Sequence, residues 1–229
     1  MKIWLFDIDG TLILTGGAGQ EAAFATLVEA FDVAQPKRDQ VRFAGRTDRA
    51  ITRDLFQLHE IPTTEDSWNR FQSAYLDHLR RFLAQQQGEI LTGVLEAISR
   101  LHECSDSHLG LLTGNVKAGA EAKLRHFQLW DYFHFGGYGD HHTSRDHVAD
   151  LALKNARSHL NQAVDPRDVW VIGDTANDIR CAKAIGANSV AVATGGFSMK
   201  ELATEEPDVL LPDLNPSAVV DSLLSAHSR

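Results

Sequence analysis

The sequence predicts an α/β fold, a doubly wound parallel sheet with a small α-helical cap domain inserted into it. Short apolar runs alternate along the chain with helical patterns, as is typical of strands joined by crossover helices. The runs at 109–113 and 169–173 are apolar almost without interruption, which is expected where helices cover both faces of a parallel sheet. The segment at 15–87 breaks the alternation, because it contains helical patterns and no convincing strand.

Apolar runs supply the predicted strands, and amphipathic spacing supplies the helices between them. Gly186 follows one helical face and is a typical helix end. The strong strand candidates are 2–7, 109–113, 169–173 and 189–193, with weaker ones at 132–135 and 209–211. The helical faces comprise Val148, Leu151, Ala152, Ala156 and Leu160, and then Ile179, Ala182 and Ile185.

The inserted segment carries aromatic and aliphatic residues at helical spacing in three stretches, 24–31, 51–58 and 68–82. Such stripes are most simply the packing surfaces of helices against one another. Glycines at both ends of the segment are typical of hinges. We therefore predict an α/β core domain formed by 1–14 and 88–229, and a helical cap domain formed by 15–87.

Composition excludes several classes of protein. The formal net charge is −9, which argues against a broad nucleic-acid-binding surface but leaves room for a local basic pocket. No stretch approaches the roughly 20 apolar residues of a membrane helix. Cys104 and Cys181 fit no motif spacing, so we expect packing thiols and a cytoplasmic location. The sequence gives no indication of the oligomeric state.

An acidic sequence, Asp7-Ile8-Asp9-Gly10-Thr11, follows the first predicted strand. Strand side chains repeat every second residue, so the carboxylates of Asp7 and Asp9 are expected to face the same site. They lie at the carboxyl end of a strand, the edge at which doubly wound sheets bind ligands. Taken alone, Asp-x-Asp-Gly more often marks two solvated acids in a turn.

A second acidic pair, Asp174 and Asp178, follows the strand predicted at 169–173. Acids brought together from distant parts of the chain repel each other unless a cation lies between them. Hard carboxylate oxygens suit Mg²⁺, so the two pairs together predict a magnesium site. Asp178 also lies in the first turn of a predicted helix, where the helix dipole favours a carboxylate in any case.

The third candidate, Thr113-Gly114-Asn115, also follows a predicted strand. A hydroxyl beside backbone N–H groups that enter a helix makes an anion-binding site. The alternative is a plain cap, in which Asn115 or Thr113 begins the helix predicted at 116–127. The two interpretations are compatible.

Together these motifs resemble the haloacid dehalogenase superfamily, and the resemblance covers nearly the whole chain. The first family motif matches Asp7 to Thr11, the second matches Thr113, and the fourth, Gly-Asp-x-x-x-Asp, matches Gly173 to Asp178. The helical insert is similar to the cap that the family carries just after its first motif. Within the family, the chain resembles the phosphoglycolate phosphatase-like branch.

The third family motif, usually a lysine, departs here from its common form. Arg145 lies at the start of a predicted helix, where the dipole disfavours a cation unless a phosphoryl oxygen or nearby acids offset it. Lys154 is the rival, but it lies within the helix. We favour Arg145 as the third-motif cation. The alternative is that Arg145 is an ordinary surface residue.

The resemblance implies a role for each matched residue. Asp7 is the nucleophile that forms an aspartyl phosphate, and Asp9 is the general acid and base. Mg²⁺ is held by Asp7, the Asp9 carbonyl and Asp174, with Asp178 in support. The phosphoryl oxygens of a small phosphorylated metabolite are held by Thr113, Gly114, Asn115 and Arg145.

The acid at Asp9 favours phosphoryl transfer over dehalogenation, because an alkoxide leaving group needs a proton and a halide does not. The implied activity is therefore a Mg²⁺-dependent phosphatase. The nearest rival is a sugar phosphomutase on the same scaffold; a signalling receiver domain and a catalytically idle binding protein are more distant ones. Nothing identifies the substrate.

Two further groups of residues are open to more than one interpretation. Arg46, in a glycine-bearing loop before a predicted helix, is suited either to a substrate carboxylate or second phosphate, or to a structural ion pair. Thr47 and Asp48 are plausible caps of that helix. His141, His142 and His147 are clustered, but they lack the ligand spacing of a dedicated transition-metal site.

Overall fold

A six-stranded sheet forms the centre of the computed structural model, which describes residues 1–215. The strands are β1 (Lys2–Phe6), β2 (Ile13–Leu14), β3 (Glu89–Ile90), β4 (Ser107–Leu112), β5 (Phe135–Gly137), β6 (Val169–Gly173), β7 (Asn188–Val192) and β8 (Val209–Leu211). In the large sheet the order is β5-β4-β1-β6-β7-β8, and every pair is parallel. β2 and β3 form a separate antiparallel ribbon. The predicted doubly wound α/β fold is confirmed.

The weak strand predicted at 132–135 was misplaced. Residues Trp130–Tyr132 form a 3₁₀ turn, and the strand follows at β5. Glycine explains the error, because two of the three residues of β5 are glycines that carry no apolar side chain. A Cβ at Gly137 would lie 2.1 Å from the Val148 carbonyl oxygen, so close packing of the neighbouring helix requires the glycine.

Helices cover both faces of the sheet, which explains the uninterrupted apolar runs. Trp4 and Phe6 of β1 pack into the apolar cluster on one face. Ile3 and Leu5, which alternate with them, pack into the cluster on the other face. A strand buried on both faces needs apolar side chains at every position.

The helices of the core follow the strands with which they alternate. The helical face around Val148 lies on a helix that begins at Arg145, and the face around Ile179 ends before Gly186, as predicted. In chain order all the helices are α1 (Ala18–Phe31), α2 (Asp48–Leu58), α3 (Glu65–Gln85), α4 (Val94–Glu103), α5 (Lys117–His126), α6 (Arg145–Leu160), α7 (Ala176–Ala184) and α8 (Met199–Ala203).

Between β2 and β3 lie α1, α2 and α3, the three helices predicted from the inserted segment. Their apolar faces form a further cluster, in which Phe24, Leu55 and Leu79 are fully buried and which Val116 of the core also joins. The division into a core domain and a cap domain at 15–87 remains a prediction. Residues 216–229 of the predicted core domain lie outside the described part of the chain.

Within residues 1–215, none of the helices combines the length and the apolar character that crossing a membrane requires.

Candidate active site

The predicted site residues follow three strands that are neighbours in the sheet. Asp7 follows β1, Thr113 follows β4 and Asp174 follows β6, and β1 lies between the other two. Parallel strands end at the same edge, so these side chains meet there although distant segments of the chain supply them. The Asp7 N–H donates to the Ile172 carbonyl at 2.9 Å, which fixes the end of β1 against β6.

Three buried carboxylates form a group that fits a metal ion. One oxygen from each of Asp7, Asp174 and Asp178 lies within 4.8 Å of the others. The Thr11 hydroxyl donates to Asp174 at 3.1 Å and holds it toward the first motif. Gly10 has φ +84°, and a Cβ there would lie 2.5 Å from an Asp174 oxygen, so the turn requires a glycine. Such a set of hard oxygen donors suits Mg²⁺.

The crowding of acids changes how these groups titrate. Burial raises the pKa of Asp7 to about 6; Arg145 opposes the shift, and Asp178 and Asp9 add to it. Burial, reinforced by Asp178 and Asp7, raises the pKa of Asp174 to about 8. Burial and the neighbouring acids therefore disfavour the ionised carboxylates, and a bound divalent cation would offset both effects.

Arg145 enters the site from the first turn of α6 and is buried. Its guanidinium hydrogen-bonds to Asp178 and lies 3.5 Å from Asp7. Burial alone would lower the pKa of Arg145, but Asp7 and Asp178 raise it, so the group stays charged. Its Nε has no hydrogen-bond partner among the described residues. Lys154, the rival, is exposed on the same helix.

Asp178 holds the start of α7 as well as facing the site. Its Oδ2 accepts from the Thr175 hydroxyl at 2.7 Å and from the Thr175 N–H at 3.1 Å, which completes a capping box. Its other oxygen accepts from Arg145. Asp178 therefore caps α7 and at the same time belongs to the group of buried carboxylates.

Asp9 is held by a residue that the sequence did not indicate, Lys123 of α5. The Lys123 ammonium donates to the two Asp9 carboxylate oxygens at 2.8 and 2.6 Å, and to the Asn115 side-chain oxygen at 2.7 Å. The Asn115 amide in turn donates to Asp9 at 2.8 Å. Lys123 is only 4 % exposed. The available signal was its position, three residues after buried Ala120 on the apolar side of an otherwise charged helix.

The second motif is held together by local contacts. The Thr113 hydroxyl accepts from the Asn115 side-chain amide at 2.8 Å and from its N–H at 3.3 Å. Neither residue caps α5 as the alternative interpretation suggested. The Val116 N–H donates to Asp48 at 2.8 Å, and the Lys117 N–H donates to Asp140 at 2.9 Å, so acids from elsewhere cap the helix.

The loop at 43–48, whose last residue is the first of α2, closes over this edge of the sheet. The Asp48 N–H donates to the Gly114 carbonyl at 2.8 Å, and the Asn177 amide donates to the Gly45 carbonyl at 2.7 Å. Thr47 caps α2 as predicted, because its side chain accepts from the Ala50 N–H at 3.1 Å. This loop therefore joins the helical insert to the second and fourth motifs.

Arg46 lines the space between the helical insert and the edge of the sheet, but an ion pair with Asp54 holds its guanidinium. Its guanidinium lies 2.6 Å from Asp54 and also donates to the carbonyls of Arg42 and Ala50. The space itself is a cavity of about 220 Å³ between the helical insert and the edge of the sheet. Asp7, Asp9, Thr113, Lys123, Arg145 and Asp174 line its core side.

Comparison with known proteins identifies similar sequences and folds. Residues 4–192 match the family model described as haloacid dehalogenase-like hydrolase. Over 211 residues the chain is 26 % identical to probable phosphatase IndB of Dickeya dadantii, with 90 % of this chain and 87 % of that protein covered. Over 233 residues it is 25 % identical to the phosphoglycolate phosphatase of Salmonella paratyphi A, with 92 % and 88 % covered. The crystal structure of CbbY from Rhodobacter sphaeroides, in complex with phosphate, has the same fold, with a TM-score of 0.74 at 20 % identity and coverage of 94 % and 96 %.

Proposed function

The chain belongs to the haloacid dehalogenase-like hydrolases, and we propose that it is a magnesium-dependent phosphatase. In this proposal it hydrolyses a small phosphomonoester through an aspartyl-phosphate intermediate on Asp7. The observation that carries the proposal is the buried group of Asp7, Asp174 and Asp178 beside Arg145. A cluster of oxygen donors next to a fixed guanidinium suits a divalent cation and a phosphoryl group together.

Asp7 is the nucleophile of the proposed reaction. Its carboxylate attacks phosphorus, the bond from phosphorus to the alcohol oxygen breaks, and that oxygen takes a proton from Asp9. Asp9 then removes a proton from a water molecule, whose oxygen attacks the same phosphorus. The bond from phosphorus to the Asp7 oxygen breaks, so inorganic phosphate leaves and the Asp7 carboxylate is restored.

The remaining residues hold the reacting groups in place. Asp7 and Asp174 would hold Mg²⁺ through carboxylate oxygens, with the Asp9 carbonyl and Asp178 in support, and the bound ion would neutralise and orient the phosphoryl group. The unpartnered Nε of Arg145 is a donor suited to a phosphoryl oxygen. The Thr113 hydroxyl and the backbone N–H groups of Gly114 and Asn115 complete this oxygen-binding set.

Lys123 adds a positioning role to the proposal. Its contacts with Asp9 and Asn115 tie the acid–base carboxylate to the second motif. Asp9 remains open to the substrate, because its side chain is 43 % exposed. An acid–base group has to be held within reach of the leaving oxygen and still exchange its proton, and this arrangement meets both needs.

A phosphate-release assay tests the proposal directly. Purified protein with Mg²⁺ is expected to release inorganic phosphate from some members of a panel of phosphomonoesters, including 4-nitrophenyl phosphate. Chelation of the metal should stop the release, and added Mg²⁺ should restore it. Accumulation of an isomeric sugar phosphate without inorganic phosphate would favour the phosphomutase alternative, and release that persists in excess chelator would contradict the metal dependence.

A further inference from the structure

The cavity has two chemically different halves. The half at the sheet edge carries the acids, Arg145 and Lys123 described above. The half formed by α2 and α3 contains no carboxylate beyond Asp48 among the described residues that line it. Its wall consists instead of Ile51, Trp68 and Phe71, with the neutral polar side chains of Thr52, Gln72 and Tyr75.

The neutral polar side chains in this half make no hydrogen bond to any described residue. Thr52 is 2 % exposed and Tyr75 is 6 % exposed, yet neither side chain hydrogen-bonds to any described residue. Burial raises the pKa of Tyr75 well above its ordinary value, so its hydroxyl stays neutral and can donate a hydrogen bond. The two hydroxyl oxygens still reach the space of the cavity, because the Arg145 Nε is the one fully buried polar side-chain atom without a hydrogen-bond partner among the described residues. A ligand with its own hydrogen-bonding group would satisfy them.

The cations that line the cavity are already paired. Arg46 is paired with Asp54, and Arg145 is paired with Asp7 and Asp178. Lys123 donates to both Asp9 oxygens and to Asn115, which uses the three donors of an ammonium group. A second negative charge on the substrate would therefore find no free cation among the described lining residues, and it would lie near Asp48.

We propose that the leaving group of the substrate is an uncharged alcohol with a flat apolar surface and a hydrogen-bonding group. Trp68 and Phe71 supply the apolar wall for that surface, and Thr52, Gln72 and Tyr75 supply the polar contacts. This inference rests on the proposed phosphatase function, because it concerns the leaving group of that reaction. It distinguishes this chain from the relatives named phosphoglycolate phosphatase, because glycolate, the leaving group of phosphoglycolate, carries a carboxylate.

Matched esters that differ by one charge test the inference. Benzyl phosphate is expected to be hydrolysed with a kcat/KM at least tenfold above that of 4-carboxybenzyl phosphate, and above that of phosphoglycolate. Gln72→Lys places a cation in the apolar half and should reduce the ratio of the kcat/KM values of the two benzyl esters. Gln57→Lys, the same change at an exposed position of α2, should leave that ratio unchanged.

Binding measurements distinguish a failure of this inference from a failure of the proposed function. Calorimetric titration with benzylphosphonate and 4-carboxybenzylphosphonate measures the same preference without turnover, and the uncharged compound is expected to bind at least tenfold more tightly. Equal or better binding and hydrolysis of the carboxylated compounds would overturn the inference. Absence of hydrolysis of every ester, with the binding preference intact, would overturn the proposed function and leave the uncharged subsite standing.

Discussion

Two aspartates only two residues apart are held in very different ways. Asp7 is buried beside Arg145, and the side chain of Asp9 is 43 % exposed and bound by Lys123 and Asn115. Burial next to a fixed cation suits a nucleophile that has to be oriented. Partial exposure suits a group that exchanges protons with a leaving group and with water. The surroundings of each carboxylate, and not its residue type, support the proposed division of roles.

The nucleophile assignment predicts that Asp7→Asn abolishes phosphate release, with a loss of about three orders of magnitude or more, because an amide is a poor nucleophile. The shape of the side chain is kept, so the melting temperature should stay close to that of the unchanged protein. Initial-rate assays in Mg²⁺ provide the measurement, and Asp39→Asn at an exposed position provides the control. Substantial turnover by folded Asp7→Asn would remove Asp7 from its proposed role.

The third-motif assignment predicts that Arg145→Ala lowers kcat/KM by roughly 100-fold or more, because a charged donor to the phosphoryl oxygens is lost. Lys154→Ala should be nearly silent, because this lysine is exposed on α6. Arg145→Lys retains the charge without the bidentate geometry and should fall between the two. Steady-state kinetics at saturating Mg²⁺ on correctly folded variants provide the measurement. A large loss in Lys154→Ala beside a nearly normal Arg145→Ala would make Lys154 the third-motif cation.

Lys123→Met should lower kcat by roughly 10- to 100-fold with little change in KM, because Asp9 loses the contacts that hold it beside the leaving oxygen. The loss should be greater for alkyl esters, which need a proton on departure, than for 4-nitrophenyl phosphate, which does not. Arg125→Met, which removes a cation from the exposed side of the same helix, is the matched control and should leave kcat unchanged. An equal loss for both kinds of ester would argue for a purely structural role of Lys123.

At the scale of elements, the loop at 43–48 connects the helical insert to the reactive edge. The loop can approach the second and fourth motifs closely because glycines lie on both sides of the contact. A Cβ at Gly45 would lie 2.8 Å from the Thr175 hydroxyl oxygen, and one at Gly114 would lie 2.0 Å from the Arg46 carbonyl oxygen. Asp48 then supplies the cap of α5. Loop and helix are thus joined by backbone contacts that larger residues would prevent.

The loop contact predicts a pH dependence through Asp48. Burial raises the pKa of Asp48 from 3.8 to about 6; Lys123 opposes the shift, and Asp9 and Asp140 add to it. The folded state therefore binds the proton more tightly than the unfolded state. The stability that this proton contributes is fully present below about pH 4 and is lost as the pH rises through about 6.

Asp48→Asn should remove this pH-dependent loss of stability, because the asparagine side chain does not ionise and its oxygen can still accept from the Val116 N–H. Between pH 4 and 7 the melting temperature of the unchanged protein should fall relative to that of Asp48→Asn. Thermal unfolding monitored by circular dichroism gives both curves, with Asp39→Asn as the exposed comparison. Parallel curves across this range would show that ionisation of Asp48 does not affect stability.

At the scale of the whole molecule, the sequence predicted what depends on local pattern and on the parallel sheet. The strand ends of the site were identifiable because Asp7, Thr113 and Asp174 follow the apolar runs of β1, β4 and β6, and parallel strands share an edge. Contacts between remote segments were not predictable. Lys123 lies 114 residues from Asp9 along the chain, and Asp48 lies 68 residues from Val116, so no local spacing links either pair.

The gathering of acids at one edge predicts that Mg²⁺ stabilises the whole chain. Asp7, Asp174 and Asp178 repel one another in the folded state and are far apart in the unfolded chain, so an ion that binds between them favours the folded state. At about 100 times its dissociation constant, such an ion contributes about 2.7 kcal/mol. For a chain of 229 residues this corresponds to a rise of roughly 5–10 °C in Tm.

Thermal unfolding with and without Mg²⁺ measures the effect independently of catalysis. Asp174→Ala removes a ligand and one of the repelling charges, so this variant should melt at or above the metal-free temperature of the unchanged protein and respond little to Mg²⁺. Asp39→Ala, at an exposed position, should respond as fully as the unchanged protein does. Equal Mg²⁺ responses in all three proteins would mean that the ion acts elsewhere. A response confined to chains that retain Asp174 would link the stability of the fold to the same carboxylates that are proposed to serve the reaction.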